Sequence, residues 1–124
     1  MKKITYGQAA SEGTVSGKIY FTTDDIIEHS KLGEKVILVK KYTTPEDTLA
    51  IQYAAGVMTE VGGLMSHAAI CAREFNKPCI INCVGIDIDE KAKHLNTIDT
   101  SYNEGTMVTL DCYTGNVYMK GGNE

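Results

Sequence analysis

Residues Gly62–Glu74 read GGLMSHAAICARE and place a glycine turn directly before a run typical of a helix. Ser66 is a residue type that commonly caps helices, and small residues rich in alanine follow it. If Ser66 is the N-cap, His67 lies in the first turn, where backbone N–H groups have no intrahelical acceptor. The stretch therefore predicts a helix over 66–75 with a histidine at its start.

That position suits a histidine that accepts a phosphoryl group. The positive end of a helix disfavours imidazolium, so the ring of His67 keeps a lone pair for attack on phosphorus. Gly62 and Gly63 permit a tight turn with positive φ, and Ala68 and Ala69 leave room for a bulky anion near the backbone amides. On position alone, an ordinary histidine at the edge of a loop is the alternative.

Other chemistries fit this stretch less well. Adjacent helical side chains point about 100° apart, so Ser66 and His67 do not form a nucleophile and base pair. Gly62–Gly63 lacks the Gly-Lys-Ser/Thr ending of a P-loop. Cys79 and Cys83 are expected on one face of a strand, but no second ligand pair follows, so they are interpreted as core cysteines rather than metal ligands.

Length and composition favour one soluble domain. The chain has 124 residues, of which 43% are hydrophobic, and neither a repeat nor a linker-like tract divides it, so residues 1–124 are predicted to form a single domain. No run approaches the roughly 20 apolar residues of a membrane span, and the two lysines near the start precede no apolar signal region.

Charge and cysteine usage narrow the partners and the compartment. The formal net charge is -4 without a lysine or arginine cluster, which argues against binding to nucleic acid or to an anionic membrane. The four cysteines show no Cys-x-x-Cys spacing, and a chain of this length does not need disulfides. We therefore expect reduced thiols, a cytoplasmic location, and a protein or a small molecule as partner.

Strands and helices alternate along the rest of the chain, which predicts a mixed α/β domain. The last two predicted strands flank DCYTG, a connection that suits a hairpin. Thr44 is the expected N-cap of the helix at 43–54, with Pro45 at its first position. Strands are predicted at 17–21, 35–39, 55–60, 78–83, 106–110 and 116–120, and helices at 23–31, 43–54 and 66–75.

The stretch at 62–74 also resembles the Gly-Gly-x-Thr-Ser-His-Ala-Ala-x-x-Ala-Arg signature of the phosphohistidine, or swivelling mobile, domain of PEP-utilising enzymes. The likeness extends over residues 7–121, from ASEGTVSGKIYF to EGTMVTLDCYTGNVYMKG. Within the family, TTPED and KPCIINCVGIDIDEKAK are most similar to pyruvate phosphate dikinase.

The resemblance implies a compact β/β/α swivelling domain and a function as phosphoryl carrier. His67 would be phosphorylated by a nucleotide-binding domain that uses ATP, and a barrel domain that binds PEP or pyruvate with Mg²⁺ would exchange the same group. Ser66 and the helix amides would orient the phosphoryl group, and Gly62–Gly63 would shape the loop. The domain itself would hold neither metal nor cofactor, and replacement of His67 is expected to leave it folded.

Three residues depart from the family pattern, and the role of Arg73 has two interpretations. Arg73 lies on a different helix face from His67, as a structural residue or as a candidate docking contact. Met65 stands where the family has threonine, which removes a hydroxyl near the phosphoryl group, and Glu12 and Asp111–Cys112 replace the usual Pro and Asp-Gly. The effect of Met65 is left open.

Two interpretations of the whole chain follow from the resemblance. Residues outside 7–121 are too few for an ATP-binding domain or a barrel, so the carrier is either free-standing, as the initial Met1 suggests, or a fragment of a larger enzyme. The alternative function is a non-catalytic interaction or regulatory module that keeps the fold. The sequence names neither the phosphoryl donor, the acceptor nor the oligomeric state.

Overall fold

A mixed eight-stranded sheet forms the middle layer of the computed structural model, which describes residues 1–120. Residues 121–124 lie outside the described residues. The predicted domain includes all four of them, and the family likeness includes residue 121. The sheet has the order β1-β11-β10-β3-β4-β5-β6-β2. Its strands are β1 (Lys2–Tyr6), β2 (Gln8–Ser11), β3 (Thr14–Tyr20), β4 (Val36–Lys40), β5 (Gly56–Thr59), β6 (Cys79–Ile81), β10 (Met107–Asp111) and β11 (Asn116–Met119).

Three helices cover one face of this sheet, and a small second sheet covers the other. The helices are α1 (Thr23–Lys31), α2 (Thr48–Tyr53), which follows a 3-10 turn at Pro45–Asp47, and α3 (His67–Glu74). The antiparallel second sheet consists of β7 (Asp87–Asp89), β8 (His94–Asn96) and β9 (Ser101–Asn103). Each face has its own buried cluster, one with helix residues such as Ile51 and one with Leu95 of the second sheet. The predicted β/β/α class is confirmed.

Parallel pairing of the central strands brings the functional loops together. β3, β4, β5 and β6 run parallel, and α1, α2 and α3 connect them in turn. Residues Val36–Val39 are all buried, as expected of a parallel strand that is covered on both faces. Because β4 and β5 run parallel, the loops that follow them lie at the same edge of the sheet.

The three predicted helices, the six predicted strands and the hairpin are present, with small shifts at their ends. Five short strands were missed: β1, β2 and the three strands of the second sheet. The expectation that Cys79 and Cys83 share a face is wrong. Asn82 adopts a φ of 55° after β6 ends at Ile81, and this turn places Cys83 in the cluster on the opposite face from Cys79.

No helix among residues 1–120 has both the length and the apolar composition that crossing a bilayer requires.

Candidate functional site

The turn before α3 is built around one glycine. Gly62 has a φ of +132°, and a Cβ atom there would lie 3.2 Å from the Ser66 hydroxyl oxygen. The predicted turn with positive φ is thus present at Gly62, whereas Gly63 does not adopt a positive φ and has open space where a Cβ would lie. Its carbonyl accepts a hydrogen bond from the Ser66 amide at 3.0 Å, which closes the turn.

Ser66 caps α3 as predicted. Its Oγ accepts a hydrogen bond from the amide of Ala69 at 3.4 Å, and its carbonyl accepts one from the amide of Ile70. Within residues 1–120, the amides of His67 and Ala68 have no hydrogen-bond acceptor. Two donors at the positive end of the helix therefore remain for an external anion.

The side chains of Ala68 and Ala69 lie in the core. Their side chains are buried, with 2% and 0% of their surface exposed, and they pack into the cluster between the helices and the sheet. The packing fixes the rotation of α3, so that His67, which is half-buried, lies on the side of the helix towards α2.

Both ring nitrogens of His67 meet threonine hydroxyls. Nδ1 lies 2.8 Å from Oγ1 of Thr43, and Nε2 lies 3.0 Å from Oγ1 of Thr48. The thiol sulfur of Cys71, one helical turn further along, is 3.4 Å from Nε2. The ring is therefore held in one orientation by uncharged partners, and among the described residues no carboxylate contacts it.

Thr43 and Thr48 reach the ring because the segment after β4 is itself held firmly. Asp47 accepts hydrogen bonds from the backbone amide of Thr44 at 3.0 Å and from the hydroxyl of Thr23 at 3.1 Å. Lys40 pairs with Asp47 at 3.8 Å. Thr44, the predicted helix cap, is the N-cap of the 3-10 turn at Pro45–Asp47, and α2 itself begins at Thr48.

Sequence reasoning did not identify Thr43 or Thr48 as site residues, because they precede His67 by 24 and 19 positions. A usable signal existed in the predicted strands at 35–39 and 55–60. If these strands are parallel neighbours, the loops after them meet at one edge, and TTPED then faces the glycine turn. Taken by itself, TTPED indicates a helix start and a family likeness but not a contact with His67.

Arg73 contacts the backbone around the site instead of an ionic partner. Its guanidinium donates to the carbonyl oxygens of Leu64 at 2.6 Å and of Ala10 at 3.3 Å. Arg73 thus ties the loop before α3 to β2, as a structural residue would, although its side chain is exposed. Docking by Arg73 stays a prediction.

Charged groups near the site are paired with one another. Lys40 lies 3.1 Å from Glu90, and Lys41 lies 3.8 Å from Glu60 and 3.6 Å from Asp87. These pairs border a cleft of about 630 Å³ between the segment after β4 and the second sheet. His67 does not line this cleft. The half-buried ring thus lies outside this cleft.

The remaining cysteines belong to the core. Burial raises the pKa of the Cys79, Cys83 and Cys112 thiols to about 12 in each case. Along residues 1–120 no group of three or more histidine, cysteine, aspartate or glutamate side chains is arranged to hold a metal ion.

The fold and site can be compared with known proteins. Residues 32–115 match the family model described as PEP-utilising enzyme, mobile domain. Pyruvate, phosphate dikinase of Clostridium symbiosum is 40% identical over 109 residues, and pyruvate, phosphate dikinase 2 of Oryza sativa subsp. japonica is 39% identical over 118 residues. The matches cover 88% and 95% of this chain but only 12% and 13% of the relatives' lengths.

A solved structure supports the same assignment. An NMR solution structure of an Enzyme I protein superposes with a TM-score of 0.51 at 28% sequence identity, covering 73% of this chain and 33% of that one. The family match covers more than half of the chain and includes the glycine turn, Ser66 and His67. The chain belongs to the mobile-domain family of PEP-utilising enzymes.

Proposed function

We propose that this domain is a phosphoryl carrier of the pyruvate phosphate dikinase type, with His67 as the residue that is phosphorylated and dephosphorylated in turn. The observation that carries the proposal is the environment of the imidazole ring: two threonine hydroxyls hold it, and the two unpaired amides of His67 and Ala68 lie at the start of the same helix. A neutral ring is a nucleophile, and helix amides stabilise the anion that the ring would then carry.

Each part of the site contributes a separate physical effect. The Ser66 hydroxyl oxygen already accepts from Ala69, so its hydrogen is free to donate to a phosphoryl oxygen. The bend at Gly62 brings the loop back over the start of α3, and Arg73 fixes the Leu64 carbonyl in that loop. The phosphoryl group would therefore be oriented by neutral donors without a charged side chain of this domain.

The partners follow from the proposed carrier function. In the carrier function, the Mg²⁺ that accompanies ATP or PEP would be held by the partner. A nucleotide-binding protein or domain would supply the phosphoryl group from ATP, and a PEP- or pyruvate-binding one would exchange it. We expect the purified chain alone neither to hydrolyse ATP nor to convert PEP to pyruvate.

The proposal is tested by incubating the chain with radiolabelled ATP, Mg²⁺ and the nucleotide-binding part of a related dikinase. One phosphoryl group per chain is expected, and it should be lost in acid and survive in alkali, as is typical of phosphorus on nitrogen. His67→Ala should remove the label completely. His94→Ala is the matched control, because this histidine lies in the second sheet, away from the glycine turn. Label that resists acid, or that persists in His67→Ala, would contradict the carrier function.

A second candidate is a non-catalytic interaction module, and Met65 is the observation that favours it. This side chain is 80% exposed beside Ser66, at the place where the family signature has threonine. If the chain binds the nucleotide-binding part of a dikinase but gains no phosphoryl group from any ATP concentration, the interaction module replaces the carrier.

A further inference from the structure

His67 and Cys71 place two metal-ligand side chains on one face of α3. Residues four apart on a helix are neighbours, and Sγ of Cys71 lies 3.4 Å from Nε2 of His67. Helical zinc sites present two donors to one ion with this same spacing. The carrier function uses the ring of His67 but gives the thiol no role. The pair is therefore a candidate metal chelate that the carrier function does not include.

The distance between the two donor atoms matches a shared zinc ion. Zinc binds histidine nitrogen at about 2.0–2.1 Å and cysteine sulfur at about 2.3 Å, so two donors of a tetrahedral site lie about 3.5 Å apart. The separation of Nε2 and Sγ, 3.4 Å, is close to that value. An ion held by both atoms would replace the contact between Nε2 and the Thr48 hydroxyl, and water would complete the coordination.

The pairing of a thiol with an imidazole is particular to Cys71. Among the described residues, no other cysteine has a hydrogen-bond contact with a histidine ring. The family signature leaves position 71 open, and the resemblance implies a domain that holds no metal. The chelate is therefore a property of this chain rather than one that the family supplies.

We propose that Nε2 of His67 and Sγ of Cys71 chelate a thiophilic divalent cation such as Zn²⁺, and that the bound ion reversibly blocks phosphorylation of His67. The chelate itself rests on the contact between the two side chains, and the block rests on the carrier function proposed above. Thiolate and imidazole ligands select zinc, whereas Mg²⁺ prefers oxygen ligands. The Mg²⁺ that accompanies ATP would therefore leave the pair free.

Binding of the ion and loss of nucleophilicity are two sides of one exchange. The Cys71 thiol releases its proton to solvent, and the thiolate and the Nε2 lone pair displace two water molecules from the hydrated ion. A neutral imidazole has one nitrogen with a lone pair and one with a hydrogen. When Nε2 gives its lone pair to the metal, Nδ1 carries the hydrogen, so neither nitrogen can attack phosphorus. Removal of the ion by a chelator restores the free ring.

The chelate can be measured without any phosphoryl donor. Co²⁺ serves as the spectroscopic probe, because cobalt bound to a thiolate has a charge-transfer band in the near ultraviolet. The reduced wild-type protein should show this band at one Co²⁺ per chain, and Zn²⁺ should displace the cobalt. Cys71→Val and His67→Gln should each bind at least about a hundredfold more weakly, because the second donor no longer adds intramolecularly.

Cys83→Ala and His94→Gln are the matched controls for the loss of a thiol and of an imidazole. Cys83 lies in the cluster on the other face of the sheet, and His94 lies in the second sheet. Both variants should bind Co²⁺ as the wild-type protein does. A wild-type protein without the thiolate band, or the same band in Cys71→Val while folded, would overturn the chelate.

A second experiment tests the block. With Zn²⁺ at about ten times its measured Kd, labelling of the wild-type protein by the ATP system should slow about tenfold relative to the zinc-free rate. Cys71→Val, compared with its own zinc-free rate, should slow much less, which accounts for any action of zinc on the partner. Equal slowing in both proteins would contradict the block. Absence of wild-type labelling without zinc would instead overturn the carrier function, while the cobalt spectra would still decide the chelate.

Discussion

Two histidines of this domain occupy opposite environments. His29 lies in the last turn of α1, stacked on Tyr20 with ring centroids 4.1 Å apart, and its Nδ1 is 3.2 Å from Oε2 of Glu34. His67 begins α3 and meets only hydroxyls and a thiol. A carboxylate and the negative end of a helix favour imidazolium, whereas neutral partners and the positive end favour the neutral ring.

The difference shows that a histidine's chemistry is set by what surrounds it. The hydrogen bond from His29 is the main cause that holds the pKa of the Glu34 carboxyl below its usual value, and Tyr20 also donates to that carboxyl, at 3.2 Å. The contact between His29 and Glu34 thus links α1 to the residues that follow it. His67 makes no comparable contact with a carboxylate among the described residues.

The largest expected effect separates the two histidines by function. His67→Gln should lose phosphorylation entirely, while His29→Gln should keep it and lose about 1 kcal/mol of stability as the ring stack on Tyr20 disappears. Labelling with ATP and the nucleotide-binding part of a dikinase, together with urea unfolding, measures both. If His29→Gln also abolishes labelling while folded, the difference in environment does not separate a phosphorylated histidine from a structural one.

His67 replacements should also affect folding more than the sequence suggested. A change at a loop-facing surface residue was expected to leave stability nearly unchanged, but the ring is half-buried and bonded to the buried hydroxyl of Thr43. Removing one partner of a buried hydrogen bond costs about 1–3 kcal/mol. His67→Ala should therefore unfold at lower urea concentration than wild type, and Thr43→Val combined with it should recover part of the loss.

The helix caps give a comparison of intermediate size. Thr22 caps α1 by accepting from the amide of Asp25 at 3.1 Å, as Ser66 caps α3. Replacing either residue by alanine should reduce stability by about 1 kcal/mol. Only Ser66→Ala should also slow phosphorylation of His67, without abolishing it. Equal labelling rates in the two variants would show that Ser66 does no more than cap its helix.

Acid should reduce the stability that the contact between His29 and Glu34 contributes, by a smaller amount than the changes above. The Glu34 pKa is lowered in the folded protein from a usual value of 4.5, so its contribution to stability is complete above that value and is lost as pH falls through the folded pKa. Urea unfolding of wild type should therefore show a decline in stability below about pH 4.5 that is smaller in Glu34→Gln. An identical dependence of stability on pH in both proteins would show that Glu34 does not contribute to the decline in acid.

The smallest effect is expected at Met65. Its side chain is 80% exposed, so Met65→Thr should change the free energy of unfolding by less than about 0.5 kcal/mol. The added hydroxyl next to Ser66 should leave the labelling rate unchanged or increase it. A slower rate in Met65→Thr would show that the methionine itself contributes to contact with the phosphoryl donor.

The sequence predicted those parts of the fold whose signals are local. Ser66 and the alanines after it defined α3, and the apolar run at 36–39 defined β4, because capping and burial leave clear patterns within a few residues. The strands of the second sheet have three residues each, and β7 and β9 expose two of the three. Such a short run does not show an alternation of buried and exposed residues that would distinguish a strand from a loop.

Local sequence patterns predicted the site only on the α3 side. His67 and Ser66 lie in one segment of the sequence. Thr43 and Thr48 approach the ring because β4 pairs with β5, and a pattern within a few residues does not predict that pairing. The glycine pair predicted the turn but did not reveal which glycine adopts the positive φ, which in the structure is Gly62. Long-range pairing and backbone geometry are the physical reasons for these gaps.

The antiparallel pairing of β1 with β11 sets Lys2 opposite Met119 at one edge of the large sheet. Neighbouring strands are only about 5 Å apart, so a short linker from the end of β11 to the start of β1 would close residues 2–119 into a ring. New ends could then be opened beside Ile98, whose side chain is 98% exposed in the turn between β8 and β9. The domain is consequently a natural candidate for circular permutation, and a permuted chain would keep α3 and both threonines covalently intact.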